Sequence, residues 1–247
     1  MAPAGPRRGD DRGISLVETL VVVVLTSLVL GITLSTLILG QRQSGSSAIR
    51  LDNTAQTRVA MEAVAKELRT AVLPSQLQAQ GQSCASCAAS AVTVAGATTV
   101  SFYANLNNDV ALGGSGLGPS KVSFTLVQDP ATGLGNLVET VQPPIPTGTP
   151  GQYTYCAPGP GCQVRTRVLG RGLLWPSPPL FTYYAADGAT LTPLPLTAND
   201  LAKINSIDVT LTARTSTAYG TPGTTVVQRV ALPNSEVNIV VTPTPTP

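Results

Sequence analysis

The sequence of 247 residues has no histidine, few aromatic residues and few charged ones. Because histidine is absent, a histidine-based catalytic triad, a histidine-ligated metal and an imidazole general base are excluded. Charged residues make up 11% of the chain, against about 25% in soluble domains, and the net charge of +2 lacks the clustered basic excess of nucleic-acid-binding proteins. No cluster of carboxylates replaces the missing histidine, so we predict no enzymatic activity and no cofactor. From the near-neutral charge we predict no direct nucleic-acid binding.

The longest hydrophobic segment lies near the N-terminus, where 27 consecutive residues from Ile14 to Gly40 carry one ionisable side chain, Glu18. As an α-helix this segment would measure about 40 Å, more than the ~30 Å hydrocarbon core of a bilayer. It is too long for the apolar core of a secretory signal peptide. We therefore predict a single transmembrane helix over residues 14–40. The arginines before it favour a cytoplasmic leader and an extracytoplasmic C-terminal domain.

Glu18 is unusual within such a segment. A carboxylate in a membrane span costs up to about 3 kcal/mol on insertion, so a partner or a function is expected for it. If the chain were cleaved between Gly13 and Ile14, the new α-amino group would lie one helical turn from Glu18, on the same face of the helix. An ordinary interfacial glutamate in a single-pass anchor is the alternative interpretation.

The segment RGISLVETL, residues 12–20, resembles the processing site of type IV prepilins and type II secretion pseudopilins. In that family a short basic leader ends in glycine, a hydrophobic residue begins the mature chain, and a glutamate is its fifth residue. Gly13, Ile14 and Glu18 occupy these positions, with isoleucine where the family usually has phenylalanine. The resemblance implies removal of residues 1–13 by a prepilin peptidase, N-methylation of Ile14 and assembly with other pilin subunits through Glu18.

Residues 41–73 have the pattern of an amphipathic helix that continues or closely follows the membrane span. Apolar residues recur every four positions and shift face once: Leu51, Ala55, Val59 and Ala63, then Val64, Leu68 and Val72. Pro74 is predicted to end the helix. We expect this apolar stripe to pack on a sheet of the same subunit, and a coiled-coil partner is the alternative.

The chain after Pro74 is predicted to be a β-rich extracytoplasmic domain over residues 74–241, followed by a flexible Pro/Thr tail, 242–247. The Gly/Pro-rich segments 111–120 and 143–161 are predicted to be loops, and Asp187-Gly188 a hairpin-type turn. No helix alternates with the strands, which indicates an α+β protein with an antiparallel sheet. The predicted strands are 98–104, 121–127, 137–141, 180–184, 204–213 and 225–231.

This half of the chain also resembles J-component pseudopilins and W-type minor pilins, through the order of the fragments KELRTAV, SFYANLNND, LFTYYAADG, IDVTLTA and VVQRVALPN. The resemblance implies a pilin-like fold, in which a long N-terminal helix packs on an antiparallel sheet, and a structural subunit without catalytic activity. Its expected location is the cell membrane and then a filament at the cell surface. A single-pass membrane-anchored binding or adhesin domain is the alternative function.

Four cysteines occur as Cys84-x-x-Cys87 and Cys156-x5-Cys162. A zinc ribbon needs a second pair at C-x-x-C spacing, and a thioredoxin-like motif needs a βαβ context, so we predict no metal and no redox centre. An even number of cysteines beyond a membrane span indicates two disulfides. Three pairings are possible, and we favour 84–87 with 156–162 because each closes a short local loop.

Two further polar groups receive structural interpretations. The segment Asn105–Asp109 has oxygen-bearing side chains like part of a calcium loop, but it lacks the glycine and the distal glutamate, so we predict an Asx-rich turn. Arg165, Arg167 and Arg171 are predicted to form a solvated basic face, and contact with an acidic neighbour is the alternative.

Overall fold

The structure is a computed structural model of the chain and describes residues 15–78, 81–106, 116–157, 159, 161–175, 179–214 and 223–233. The chain divides into two compact units, Met1–Ala48 and Ile49–Pro247, and helix α1 contributes residues to both. The helices are α1 (Leu16–Leu68), α2 (Pro74–Gln78) and α3 (Ala198–Leu201). The strands are β1 (Ser83–Cys84), β2 (Val92–Ala95), β3 (Thr99–Ala104), β4 (Ser120–Gln128), β5 (Gly135–Gln142), β6 (Ile145–Pro146), β7 (Gln152–Thr154), β8 (Arg165–Leu173), β9 (Phe181–Tyr184), β10 (Ser206–Ala213) and β11 (Thr224–Ala231).

In the first unit, the described residues after Ser15 belong to α1, and its large apolar side chains from Leu16 to Leu39 are exposed. An 18-residue window of this helix reaches a mean hydropathy of 2.5. Among the described residues, α1 is the one helix long and apolar enough to cross a membrane. This agrees with the predicted span.

The second unit is built around an antiparallel sheet whose strand order is β11-β10-β8-β5-β4-β3-β2, with β9 also paired to β10. A small sheet of β1, β7 and β6 lies beside it, and β1 pairs with β7 in parallel. The C-terminal part of α1 packs against the main sheet, so the predicted α+β class, with a long N-terminal helix on an antiparallel sheet, is confirmed.

The core lies between the end of α1 and one face of the sheet. The buried helix residues are Ala60, Met61, Val64, Ala65 and Leu68, and they join Val100, Phe102, Val122, Phe124 and Leu137 from the strands in one cluster. A Cβ added to Gly170 would lie 3.3 Å from the Ala60 Cβ, which is tighter than most contacts between such atoms. Glycine in β8 therefore allows the helix to approach the sheet closely.

The buried face of α1 differs from the predicted one. Leu51 is 72% exposed and Val59 is 66% exposed, so the first half of the predicted stripe faces outward. Asn53 and Thr57 are buried in their place, and the Thr57 hydroxyl donates to the Asn53 carbonyl at 2.6 Å. Because its hydrogen bond is satisfied within the helix, Thr57 can be buried at little cost.

Helix α1 also ends earlier than the sequence predicts. α1 ends at Leu68 rather than at residue 73, and Pro74 begins the short helix α2 instead of terminating the long one. Residues after the helix join the sheet: Val72 N–H donates to the Tyr103 carbonyl and Asn105 N–H to the Thr70 carbonyl. Pairing with β3 therefore competes with a further turn of helix.

All six predicted strands are present, with ends displaced by at most two residues. The Asp187-Gly188 turn is also confirmed: Gly188 has φ +82° and the Ala185 N–H donates to the Ala189 carbonyl. The predicted loop 143–161 is partly wrong, because β6 and β7 lie within it. Its Tyr153 is fully buried. Residues 107–115 and the predicted tail lie outside the described residues.

Strand β8 was not predicted. Its sequence, RTRVLGRGL, contains three arginines and two glycines, which disfavour a strand when read locally. It nevertheless pairs with β5 from Arg165 to Leu173, with two shifts of register. Cross-strand pairing therefore overrides the weak local preference.

A matched pair of leucines on α1 tests which face is buried. We expect Leu68→Ala, at a fully buried position, to lower the free energy of unfolding by about 2–5 kcal/mol, because it removes core contacts and leaves a cavity. Leu51→Ala should change it by less than about 0.5 kcal/mol. Urea unfolding of the full chain in detergent micelles measures both. An equal loss for Leu51→Ala would contradict the assignment of the exposed face.

Candidate functional site

The predicted processing site lies at the start of the first unit. Gly13 and Ile14 are outside the described residues. Helix α1 begins at Leu16, and Glu18 is exposed in its first turn. The Glu18 N–H donates to the Ser15 Oγ at 3.2 Å. Ser15 thus occupies the position of an N-cap residue, which accepts a hydrogen bond from one of the first free N–H groups of the helix.

Sequence reasoning missed this cap. Ser15-Leu16-Val17-Glu18 has the S-x-x-E spacing of a capping box, which would have predicted a helix start at this point. A carboxylate in the first turn is also favoured by the helix dipole, by about 0.3–1 kcal/mol. Glu18 therefore has a local reason to stand in the first turn, in addition to any pairing with another chain.

The hydroxyl groups within the apolar part of α1 are satisfied by the helix itself. Thr26 Oγ1 donates to the Val22 carbonyl at 2.7 Å, and Ser35 Oγ to the Gly31 carbonyl at 2.8 Å. Ser27, Thr33 and Thr36 also donate to carbonyls one turn earlier. Burying a polar group in hydrocarbon without a hydrogen bond costs several kcal/mol of free energy. Because these hydroxyls are bonded within the helix, the helix is compatible with a bilayer.

Both disulfides have the local pairing that the sequence favoured. Cys84 is bonded to Cys87, and Cys156 to Cys162. The first loop is anchored by β1, where Cys84 lies opposite Tyr153 of β7. The second is held to β5, because Gln142 Nε2 donates to the Cys156 carbonyl at 2.6 Å. Both disulfides therefore fasten loop segments to strands.

Three tyrosines connect the small sheet to the main one. The rings of Tyr103 and Tyr155 stack with centroids 5.6 Å apart, and Tyr153 meets Tyr155 edge-on at 6.0 Å. Tyr155 Oη donates to the Pro119 carbonyl, and the Tyr103 hydroxyl accepts from Ala88 N–H. Burial of these rings in the packed interface raises the pKa of Tyr153 to about 12, so its hydroxyl stays protonated at neutral pH.

The arginine cluster is not a uniformly solvated face. Arg167 Nε donates to Glu139 Oε2 at 2.6 Å, and its Nη2 donates to Glu67 Oε1 at 2.7 Å. Contact with acidic neighbours, the alternative interpretation, is thus correct for this residue. The sequence LVETV could have predicted this burial. Leu137, Glu139 and Val141 stand at every second position of a strand, so the Glu139 side chain lies on the same inward face as its two apolar neighbours.

Metal-binding groups do not come together in the part of the chain that the structure describes: no three His, Cys, Asp or Glu side chains form a cluster there. The predicted Asx-rich turn falls partly on residues 107–109, which are outside that part.

Comparison with known proteins does not identify a family for this chain. No protein-family model matches the chain, and no curated protein matches it significantly. The functional proposal therefore depends on the N-terminal segment and on the geometry of its helix.

Tryptic mapping without reduction tests the disulfide pairing sharply. The peptide 70–121 contains Cys84 and Cys87, and the peptide 122–165 contains Cys156 and Cys162, since no lysine or arginine interrupts either one. We expect two separate peptides, each lighter by two hydrogens than its reduced form. Either crossed pairing would join the peptides into a single species, and free thiols would react with iodoacetamide.

Proposed function

We propose that the protein is a minor pilin or pseudopilin, a structural subunit that assembles through its N-terminal apolar helix into a type IV pilus or a type II secretion-like filament. In this proposal, prepilin peptidase removes residues 1–13. The mature chain then waits in the cell membrane as a single-pass protein with its C-terminal domain outside the cytoplasm. Other pilin subunits and the membrane are its partners.

The position of Glu18 carries the proposal. It follows Gly13 by five residues and stands in the first turn of an exposed, apolar helix. Its own N–H is capped by Ser15, but among the described residues no cation pairs with its carboxylate. A carboxylate at the edge of a hydrocarbon phase is stable when a cation neutralises it, and the α-amino group of a cleaved chain is a cation of the right reach.

Two features of the chain support this reading. The large apolar side chains of the first unit are exposed, so they need lipid or other helices around them. In the second unit the C-terminal part of α1 packs on an antiparallel sheet, an arrangement that the family resemblance implies. Assembly is then an exchange in which helices of neighbouring subunits replace lipid around α1. The pair formed by Glu18 and the Ile14 amine of a neighbour sets the axial register.

A membrane-anchored binding domain is the second candidate, and one observation favours it. Within the second unit, a cleft of about 440 Å³ lies between α1 and β8, lined by Ala55, Val59 and Val168 among others. An apolar cleft on an exported domain is a common form of a ligand site. This candidate needs neither cleavage nor Glu18.

Cleavage separates the two candidates. We expect the protein isolated from membranes to lack residues 1–13, because Gly13 and Glu18 have the spacing that prepilin peptidase recognises. Its intact mass should also include one methyl group on Ile14. Intact-mass spectrometry and N-terminal sequencing check this. A mature species that begins at Met1 or Ala2 would reject the proposal.

Glu18→Ala tests assembly apart from anchoring. Removing an intramembrane charge should leave membrane retention unchanged or improved. If Glu18 pairs with a neighbouring amine, the variant leaves that cation unpaired at a cost of about 3–5 kcal/mol, which lowers incorporation by about two to four orders of magnitude. Crosslinking to partner subunits measures incorporation, and Glu18→Asp should be intermediate.

Ser15→Ala is the matched control. It removes the cap at a cost of about 1 kcal/mol but keeps the carboxylate. If pairing is the role of Glu18, Ser15→Ala should be incorporated nearly as well as the wild type. Equal defects in the two variants would show that Glu18 acts through the helix start, and normal incorporation of Glu18→Ala would leave a plain anchored domain.

A further inference from the structure

Three charged side chains meet where the end of α1 lies on the sheet. Glu67 comes from the last turn of the helix, Glu139 from β5 and Arg167 from β8. The Arg167 guanidinium reaches both carboxylates, at 2.7 Å from Glu67 Oε1 and 2.6 Å from Glu139 Oε2. The glutamate side chains are 11% and 3% exposed, whereas that of Arg167 is 44% exposed. The cation is thus partly hydrated and the anions are not.

The charges in this cluster do not balance. Two carboxylates share one guanidinium, so the fully ionised cluster carries one excess negative charge in a buried place. Glu67 Oε2 is buried and has no hydrogen-bond partner among the described residues. Two ionised carboxylates cannot bond to each other, but a protonated one donates to its neighbour. One added proton therefore removes the excess charge and supplies a missing donor.

Among the described residues, Arg167 is the one cation in an ion pair with Glu67 or Glu139. Arg165, two residues earlier on the same face of β8, is exposed and forms no such pair. On β4 the residue opposite Glu139 is Phe124, and on β8 it is Arg167 itself. One turn before Glu67 on α1 lie Ala63 and Val64, and just beyond the end of the helix lie Thr70 and Ala71; none of the four carries a charge. The adjacent Lys66 and Arg69 are exposed. The excess negative charge is therefore compensated either by hydration or by binding a proton.

The titration of Glu67 agrees with this geometry. Burial raises the pKa of Glu67 from its ordinary value of 4.5 to about 7, with a further rise from the Glu139 carboxylate and an opposing effect of Arg167.

We propose that Glu67, Glu139 and Arg167 form a proton-binding clamp that holds the end of α1 on the sheet in acid and weakens as the pH rises past neutrality. Directly after the helix, the chain is hydrogen-bonded to the β3 segment: the Thr70 carbonyl accepts from Asn105 N–H, and Val72 N–H donates to the Tyr103 carbonyl. The clamp lies next to these backbone bonds in the sequence. Loss of the proton leaves two like charges facing each other beneath the helix end. The attachment of α1 to the sheet is therefore sensitive to the pH of the compartment that the domain occupies.

The direction of the effect follows from proton linkage. Between about pH 4.5 and 7 the folded protein holds a proton that the unfolded chain releases. The added stability is fully present below about pH 4.5 and is lost as the pH rises through about 7. The equilibrium constant for unfolding should rise by up to tenfold per pH unit within this window, and by roughly two orders of magnitude across it.

Glu67→Gln tests the clamp in the full chain. Its amide is neutral and can donate to Glu139, so it imitates the protonated state at every pH. Urea unfolding in non-ionic detergent micelles between pH 5 and 8.5 should show a strong pH dependence for the wild type, as above. The Glu67→Gln substitution should reduce this dependence to within roughly threefold over the same range. The control is Glu62→Gln, which neutralises an exposed glutamate on the same helix and should keep the wild-type dependence.

A direct titration keeps the proposal testable if that variant folds poorly. Carbon-13 labelling of glutamate alone gives five carboxyl signals, from Glu18, Glu62, Glu67, Glu139 and Glu236. We expect the Glu67 signal of the wild-type chain, assigned by its loss in Glu67→Gln, to titrate with a midpoint near 7. A Glu67 midpoint below about 5, or full pH dependence retained in Glu67→Gln, would overturn the proposal.

Discussion

Helix α1 ends within the second unit, where Val64 and Leu68 are fully buried against the sheet and Gly170 allows a close approach to β8. Each such aliphatic side chain contributes about 1.5–3 kcal/mol when it leaves water. The same contact marks the core face of the sheet, since Phe124 and Leu137 belong to one buried cluster with these helix residues. The buried residues of the helix and of the strands in the second unit form one continuous cluster around this contact.

The ionic cluster depends on the same contact. Glu139 lies on the covered face, so the helix that buries its apolar neighbours also removes its water. Arg167, directly opposite in the register of β5 and β8, is the cation that compensates for this among the described residues. A slip of one residue between these strands would turn Arg167 to the other face and leave a buried carboxylate without a cation. The pair therefore favours one register over its neighbours, whatever its net contribution to stability.

In the first unit, by contrast, the apolar side chains are exposed rather than buried. Its helix exposes leucine and valine side chains, returns its hydroxyls to its own carbonyls and caps its first turn with Ser15. A helix of this kind satisfies its backbone without help but does not bury its surface by itself. Lipid can cover it, and so can other apolar helices. The proposed function uses both environments in succession.

Patterns that arise from neighbours in the chain were readable from the sequence alone. The uninterrupted apolar segment after Gly13 predicted the long helix, and the alternation in segments such as KVSFTLV predicted strands, because membrane length and the two-residue period of a strand are local properties. The short spacing within each cysteine pair likewise favoured the local disulfides that the structure contains.

Other features were decided by contacts between residues far apart. Leu51 and Val59 form a regular apolar stripe, but the sheet covers the opposite face of the helix, with Asn53 and Thr57. Strand β8 has weak local preference and exists because β5 pairs with it, and the partner of Glu67 lies 100 residues further along the chain. The sequence by itself determined where the helix and most strands form. The tertiary structure decided which surfaces and charges meet, because burial and pairing energies depend on the partner that the fold brings into contact.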